Sequence, residues 1–503
     1  MDEWSISDLQ QRLGSGELTS VQLIQNYQER IDSLDRSGPR LNSVIEVNPD
    51  AARIASQMDL ERKDGHVRSA LHGIPILIKD NIDTHDRMQT TSGSLALEGN
   101  YASKDAFVVK KLRDAGAIVL GKTNLSEWAN FRGKPSVSGW SSRGGLTRNP
   151  YVLDRSACGS SSGSAVAVAA NLCAVAIGTE TDGSIICPSQ SNGIVGMKPT
   201  LGLWSRRGII PIAHSQDTAG PMARTVNDAA ILLSALTGVD AEDPATRKQK
   251  PARQTNFESQ LTNSGLKGAR IGVARNMSGT NPSSLRIFET CIEVIKSCGA
   301  QVIDPSDVRN YNKFASTEVE VLLFEFKTDL NKYLKQLPAD IPCRSLADII
   351  KFNEDNKQRV MPFFGQERMI AAQKKAALSS QKYKDALKRN RRLSRTEGLD
   401  RAFREYKLDA LIVPSGGPVW LIDLVNGDAI NWDMESTSPP AVAGYPHITV
   451  PAGFISGLPV GLSFIGKAWQ DSKLLQYAYA FEQASQIRRP PNYLKTIEFS
   501  TTL

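Results

Sequence analysis

From Arg155 to Ala170 the chain reads R-S-A-C-G-S-S-S-G-S-A-V-A-V-A-A, and from Cys173 to Pro188 it reads C-A-V-A-I-G-T-E-T-D-G-S-I-I-C-P. It closes from Asn192 to Pro199 in N-G-I-V-G-M-K-P. Two loops of small residues, Gly159–Ser164 and Gly178–Ser184, flank an apolar segment, Ala165–Ile177. Glycine in such loops admits positive φ and close approach of backbone to a ligand. Runs of bare backbone N–H groups form anion-binding concavities. A serine nucleophile needs an unhindered hydroxyl and donors aimed at a developing oxyanion, and both loops offer these. Two ordinary turns around a buried helix would give the same pattern.

Working outward, the flanking sequence alternates strand-like and helix-like units. Ile74–Ile78 is a short apolar run bounded by Gly73, Pro75 and Lys79, which suits a buried strand. Val108–Gly116 reads as a helix with a glycine stop and Ala117–Leu120 as a strand. Gly193–Met197 and Gly202–Ile212 read as short strands, and Thr225–Leu236 as a helix. Ala269–Ala274, Leu285–Cys298 and Ala300–Ile303 make a further strand–helix–strand unit. Leu411–Pro414, Ile448–Pro451 and Gly461–Phe464 read as core strands, the last followed by a helix over Ser472–Ala484. Such alternation predicts helices packed on a largely parallel sheet. Upstream, Ser7 and Thr19 are expected as helix N-caps, with Thr19 and Gln22 forming a capping box. Asp240–Asn263 is polar and carries proline, as a surface loop does.

Composition sets the frame. The chain has 503 residues, 40% hydrophobic and 22% charged, with a formal net charge of +7. That is ordinary globular composition with a sizeable core. The basic run in Gln366–Tyr406 carries interspersed Leu378, Tyr383, Leu387 and Leu393, the pattern of a solvated helix face, so no nucleic-acid partner is expected. Met1–Trp4 has neither a basic region nor an apolar one of the secretory kind, and Ala165–Ile177 falls short of a membrane span; the expectation is a cytoplasmic protein without a membrane partner. Six cysteines, Cys158, Cys173, Cys187, Cys291, Cys298 and Cys343, form no C-x-x-C pair. They are expected as buried apolar groups, not as a disulfide frame or metal site. The five histidines form no H-E-x-x-H, so no metal and no cofactor are expected.

Several chemistries compete. Gly116–Thr123 satisfies the P-loop pattern G-x-x-x-x-G-K-T, but a phosphate cradle must itself be a loop after a strand, and here Ala117–Leu120 reads as the strand. Gly159–Gly163 satisfies G-x-S-x-G, which would make Ser161 an α/β-hydrolase nucleophile with His447 downstream; the polar Tyr151–Cys158 offers no strand before it. A third reading makes Ser184 the nucleophile, preceded by the N–H groups of Thr181, Asp182 and Gly183, with Lys79 acting through the Ser160 loop. Lys79 would then be a desolvated base; pairing with Asp80 at the sheet edge is the structural alternative. Absence of catalysis is the last.

Taken together, G-I-P-I-L-I-K-D-N around Lys79, C-G-S-S-S-G-S-A, T-E-T-D-G-S-I-I-C-P, G-K-T-N-L-S-E-W-A-N and D-T-A-G-P-M-A-R-T resemble the amidase signature family. The resemblance runs from about His72 to Arg224, with weaker echoes in L-D-A-L-I-V-P and L-P-V-G-L-S-F-I-G. It implies Ser184 as nucleophile, Ser160 as bridging serine at a cis Gly159–Ser160 peptide, Lys79 as general base, and backbone N–H groups of Thr181, Asp182, Gly183 and Ser184 as oxyanion hole. It also implies one α/β/α domain over residues 1–503, a mixed twisted sheet with helices on both faces, with a helical arm over about 1–60 and a signature core over about 72–224. The reaction implied is hydrolysis of linear carboxamides through an acyl-enzyme, on a small-molecule or peptide amide. Asp182 and Ile186 depart from the G-G-S-I-R of much of the family, which sets the chain apart from fatty-acid amide hydrolases and the glutaminase-type amidotransferase subunits. T-E-T-D-G-S-I looks like the peptide-amidase branch, whose members remove a terminal carboxamide. Phe324–Tyr333 and Met361–Met369 are candidate pocket walls, or core packing.

Overall fold

The structure is a computed structural model that describes residues 2–249, 256–430 and 436–497. Its strands, in chain order, are β1 (Val44–Val47), β2 (Pro75–Lys79), β3 (Ile118–Thr123), β4 (Trp140–Ser141), β5 (Gly145–Leu146), β6 (Val175–Glu180) and β7 (Val195–Lys198). They continue with β8 (Thr218–Ala223), β9 (Arg270–Val273), β10 (Gln301–Ile303), β11 (Ala410–Pro414), β12 (His447–Ile455) and β13 (Leu458–Ile465). Strands β4 and β5 pair with each other; the other eleven form one sheet in the order β1-β3-β2-β6-β8-β7-β12-β13-β11-β9-β10. Helices flank this sheet on both faces, and one large apolar cluster runs through it. This is the single mixed α/β domain expected.

The sheet is less parallel than the alternation of units predicts. Parallel ladders are confined to β3-β2-β6 and β11-β9-β10, and the middle, β6-β8-β7-β12-β13-β11, is antiparallel throughout. Where the connection is too short for a crossover helix, as the two residues between β12 and β13, only an antiparallel return is available. Strand β8 is not legible in the sequence, because it contains Gly220 and Pro221, which usually mark turns. Here Gly220 lets β8 approach β7, since a Cβ at this position would lie 2.0 Å from the Met197 carbonyl. Pro221 pairs with Ile177 of β6, and the pairing with β7 covers only Met222 and Ala223. Conversely, Gly202–Ile212 forms turns and not strands; within it Ile209 makes only an isolated bridge to Ile82.

The apolar segment Ala165–Ile177 is two elements. A helix over Ser162–Ala169 ends where Asn171 takes φ 55°, and β6 begins at Val175. Every residue of that helix is buried, packed on β2, β3, β6 and β8, so it shows no amphipathic periodicity to read. At the N-terminus, Ser5 and not Ser7 caps the helix Ile6–Ser15, through a capping box with Asp8; Thr19 caps Ser20–Arg30 through the expected box with Gln22. The segment Asp240–Asn263 lies partly outside the described residues. Its described part is anchored, with Asp240, Asp243, Thr246 and Phe257 buried. The basic helix Gln381–Arg391 buries Tyr383, Ala386 and Asn390 and leaves its cations outward, as a solvated face.

Candidate active site

Lys79 is the last residue of β2, a strand buried along its whole length, and its own exposure is 0%. Nζ lies within hydrogen-bond distance of Ser160 Oγ at 2.8 Å, Ser161 Oγ at 3.0 Å, Thr179 Oγ1 at 2.9 Å and the Thr179 carbonyl at 3.2 Å. Desolvation lowers its pKa to about 7, against the opposing pull of the Glu180 and Asp217 carboxylates. A buried lysine surrounded by hydroxyls is thus available as a neutral base near neutral pH. The Asp80 side chain turns elsewhere, to Thr91 and the Gly93 N–H, so the ion pair considered for Lys79 does not form.

The two small-residue loops meet at Lys79. The Gly159–Ser160 peptide is cis, as the resemblance implies. The Ser161 N–H donates to the Ser184 carbonyl at 3.1 Å and joins the loops. Ser184 lies in the turn that follows β6, and is 8% exposed at the turn's surface. Gly183 beside it holds φ +74°, a conformation in which a side chain is disfavoured. Beyond the turn, the Glu180 carboxylate accepts the N–H groups of Ile185 at 2.7 Å and Ile186 at 3.0 Å. That is an acidic cap on the helix Ile186–Ser191, made by the strand that delivers the turn. Thr181 donates to Asp217 Oδ1 at 2.6 Å, and Asp182 accepts from Ser438 at 2.6 Å.

A disulfide corrects the reading of the cysteines. Cys158 and Cys187 are bonded, with Cα atoms 6.0 Å apart and a sequence separation of 29, leaving Cys173, Cys291, Cys298 and Cys343 free. Sequence spacing carried no sign of it, since only the fold lays the two loops side by side.

The competing sites do not assemble. Residues Ile118–Thr123 form β3, so Gly121, Lys122 and Thr123 of the P-loop pattern are strand, and Lys122 Nζ is spent on the Ile82 carbonyl and Thr90 Oγ1. Ser161 is fully buried, donates to the Thr179 carbonyl at 3.0 Å and accepts the Thr179 N–H at 3.2 Å. His447 Nε2 contacts Ser463 Oγ at 2.6 Å instead of Ser161, and burial holds its pKa well below the usual value.

A cavity of about 330 Å³ opens beside the turn, lined by Asn81, Thr179, Thr181, Ile210, Asp217 and Tyr333 among others. Of the segments proposed as pocket walls, Asp329, Lys332 and Tyr333 do line it. Phe324 packs on Tyr383, Phe363 and Phe364 pack on Trp140, and Met369 is core, so Met361–Met369 is packing. Ala129, also on the wall, belongs to three successive left-handed residues, Trp128, Ala129 and Asn130; strain of this kind concentrates at functional sites. His214, Glu325 and Asp329 bring potential ligand atoms within 4.8 Å of one another near the cavity. Their atoms are engaged with Ser215 N–H, Tyr383 OH and each other. Thr179, Asn81, Glu180 and Asp217 were not singled out from sequence, because each acts only through contacts that the sheet creates.

Known proteins resemble this chain along nearly its whole length. The amidase family profile matches residues 22–475. A probable amidase of Arabidopsis thaliana is 42% identical, covering 98% of this chain and 92% of its own length. The native peptide amidase of Stenotrophomonas maltophilia superposes with a TM-score of 0.93 at 50% identity, covering 97% of this chain and 98% of that one. A peptide amidase in complex with the competitive inhibitor chymostatin gives 0.94 at 51%, covering 97% and 99%. This chain belongs to the amidase signature family, nearest its peptide-amidase branch, and is a hydrolase of carboxamide C–N bonds.

Proposed function

We propose that Ser184 is the nucleophile, Ser160 the proton-bridging serine and Lys79 the general base in hydrolysis of primary carboxamides, peptide C-terminal amides among them. The observation that carries this reading is the 2.8 Å contact from a fully buried Lys79 to Ser160, in a loop bonded to the backbone of Ser184. Neutral Lys79 takes the Ser160 proton as Ser160 takes that of Ser184. Ser184 Oγ attacks the carbonyl carbon, and the N–H groups of Thr181–Ser184 receive the oxyanion. Ser160 then protonates the leaving nitrogen, ammonia departs, and water cleaves the acyl-enzyme by the same relay. Loss of one oxyanion donor of this kind typically lowers turnover about 100- to 1000-fold.

The peptide preference rests on the likeness to peptide amidases at about half identity over nearly the whole chain. The test is to map a fluorophosphonate adduct by peptide sequencing and to measure ammonia release from peptide amides against the corresponding free acids and simple amides. Adduct on Ser184 and turnover of peptide amides are expected, with inhibition by chymostatin. Adduct on Ser161, or turnover of simple amides only, overturns the corresponding half of the reading. We read about 1–60 as an arm on the signature core of about 72–224. Among the described residues no helix is long and apolar enough to cross a membrane. The cytoplasmic setting expected from the N-terminus stands against the Cys158–Cys187 bridge, since such bridges persist in oxidising compartments; fractionation with thiol trapping decides between them.

A further inference from the structure

We infer that the Cys158–Cys187 disulfide is a positioning device for the reaction: it fastens the Ser160 loop to the Ser184 turn, and opening it slows catalysis while the enzyme stays folded. The inference rests on the assignment of Ser160 and Ser184 above.

The placement carries the argument. Cys158 stands two residues before Ser160 and Cys187 three residues after Ser184. The bond therefore spans the gap between the two serines from their outer sides. Each anchor is itself held in place. Cys158 takes φ 54°, its N–H donates to Ser156 Oγ at 3.0 Å, and its carbonyl accepts from Ser162 Oγ. Cys187 lies in the first turn of the helix Ile186–Ser191, where its N–H donates to the Gly183 carbonyl at 2.8 Å. Motion at either sulfur is thus passed directly to a serine.

The other links between the two loops are non-covalent: the Ser161 N–H bond to the Ser184 carbonyl, the two bonds between Ser161 Oγ and the Thr179 backbone, the bridge of Lys79 Nζ between Ser160 and Thr179, and the Asn192 side chain, which donates to the carbonyls of Ala157 and Pro188. These are ordinary hydrogen bonds, each able to open by local fluctuation. Relay of a proton between two hydroxyls depends steeply on their separation, and a misplacement of about 1 Å can lower a rate about 100-fold. A covalent link across the pair removes that freedom. Cys158 is 3% exposed and Cys187 only partly buried, so Cys187 is the half of the bridge nearer solvent, where a thiolate would attack first.

The experiment uses the intact enzyme. Alkylation under denaturing conditions without reductant is expected to modify four cysteines; six would overturn the proposal at once. Dithiothreitol then opens the bond by thiolate exchange at Cys187. Two electrons and two protons pass to the protein as two thiols, and the reagent leaves as its cyclic disulfide. Reduced enzyme is expected to lose kcat about 10- to 100-fold, with KM within about twofold, with unchanged far-UV circular dichroism, and with full recovery on reoxidation. Fluorophosphonate labelling of Ser184 should slow in parallel. If the reagent does not open the bridge in folded protein, the Cys158→Ser, Cys187→Ser double variant takes its place. Kcat within about twofold of wild type in either case overturns the proposal. So does a loss that tracks unfolded fraction alone, which would make the bridge a stabiliser only. Absence of an adduct on Ser184 in the oxidised enzyme is a separate result, and overturns the serine assignment itself.

Discussion

The hydroxyl of Thr181 donates to the Asp217 carboxylate at 2.6 Å, and the other oxygen of Asp217 accepts the N–H groups of Ile212 at 2.9 Å and Ala213 at 2.8 Å. The turn that carries Ser184 is thereby tied to the wall of the neighbouring cavity through one acid. Desolvation pushes this acid up to about 6, and its charge bears on Lys79.

A pH profile follows from that arrangement. As the proposed base, Lys79 would act only when neutral, so kcat/KM is expected to rise through an apparent pKa of about 7. A nearby carboxylate favours the charged lysine and raises its pKa. Asp217→Asn can keep its Oδ1 on the Ile212 and Ala213 N–H groups and turn its amide to Thr181 Oγ1 but removes the charge, so the acid limb should move to lower pH. Measuring kcat/KM from pH 5 to 9 in both proteins checks this; an unmoved or upward-shifted limb contradicts it.

Lys79→Met should abolish ammonia release and Ser184 labelling; a general base is worth about 100- to 10,000-fold. Its stability should behave oppositely. Folded Lys79 has a pKa of about 7 against an ordinary lysine value of 10.5. Between these, the unfolded chain binds the proton and the folded one does not, so wild-type stability rises with pH by about 1.4 kcal/mol per unit. The advantage of the methionine variant is therefore largest at or below about pH 7 and shrinks towards 10.5. Denaturant titrations at pH 7 and 9.5 read the difference.

Gly183→Ala tests the geometry of the turn. Gly183 holds φ +74°, and a Cβ there would lie 3.2 Å from Thr437 Oγ1. A left-handed non-glycine residue costs about 1–2 kcal/mol, and a turn that relaxes to avoid it misaims its N–H groups. Kcat should fall about 100-fold, as for a lost oxyanion donor. Wild-type turnover in this variant would remove the turn from the mechanism.

Ser161→Ala separates neighbouring hydroxyls. It deletes the acceptor of the Thr179 N–H and a ligand of Lys79. Leaving a buried donor unpaired costs about 1–3 kcal/mol, to be read in a urea titration. The fluorophosphonate adduct should persist on Ser184. Its disappearance would restore the G-x-S-x-G reading.

Much was legible in the residues themselves. The apolar run ending in Lys79, the two glycine–serine loops and the helix cap at Thr19 are local patterns, set by side-chain chemistry within a few positions. Their order along the chain was sufficient for the family and hence for the candidate serines. Tertiary structure alone decided three further matters. Strand β8 forms despite Gly220 and Pro221 because neighbours β6 and β7 supply its ladder, and its glycine is needed for their close approach. The pKa of Lys79 falls to about 7 because burial among Ser160, Ser161 and Thr179 removes its water, and no residue beside it in sequence does that. Cys158 and Cys187 meet because the loops after Tyr151 and after β6 converge at one end of the sheet; proximity in space, not spacing along the chain, makes a disulfide possible.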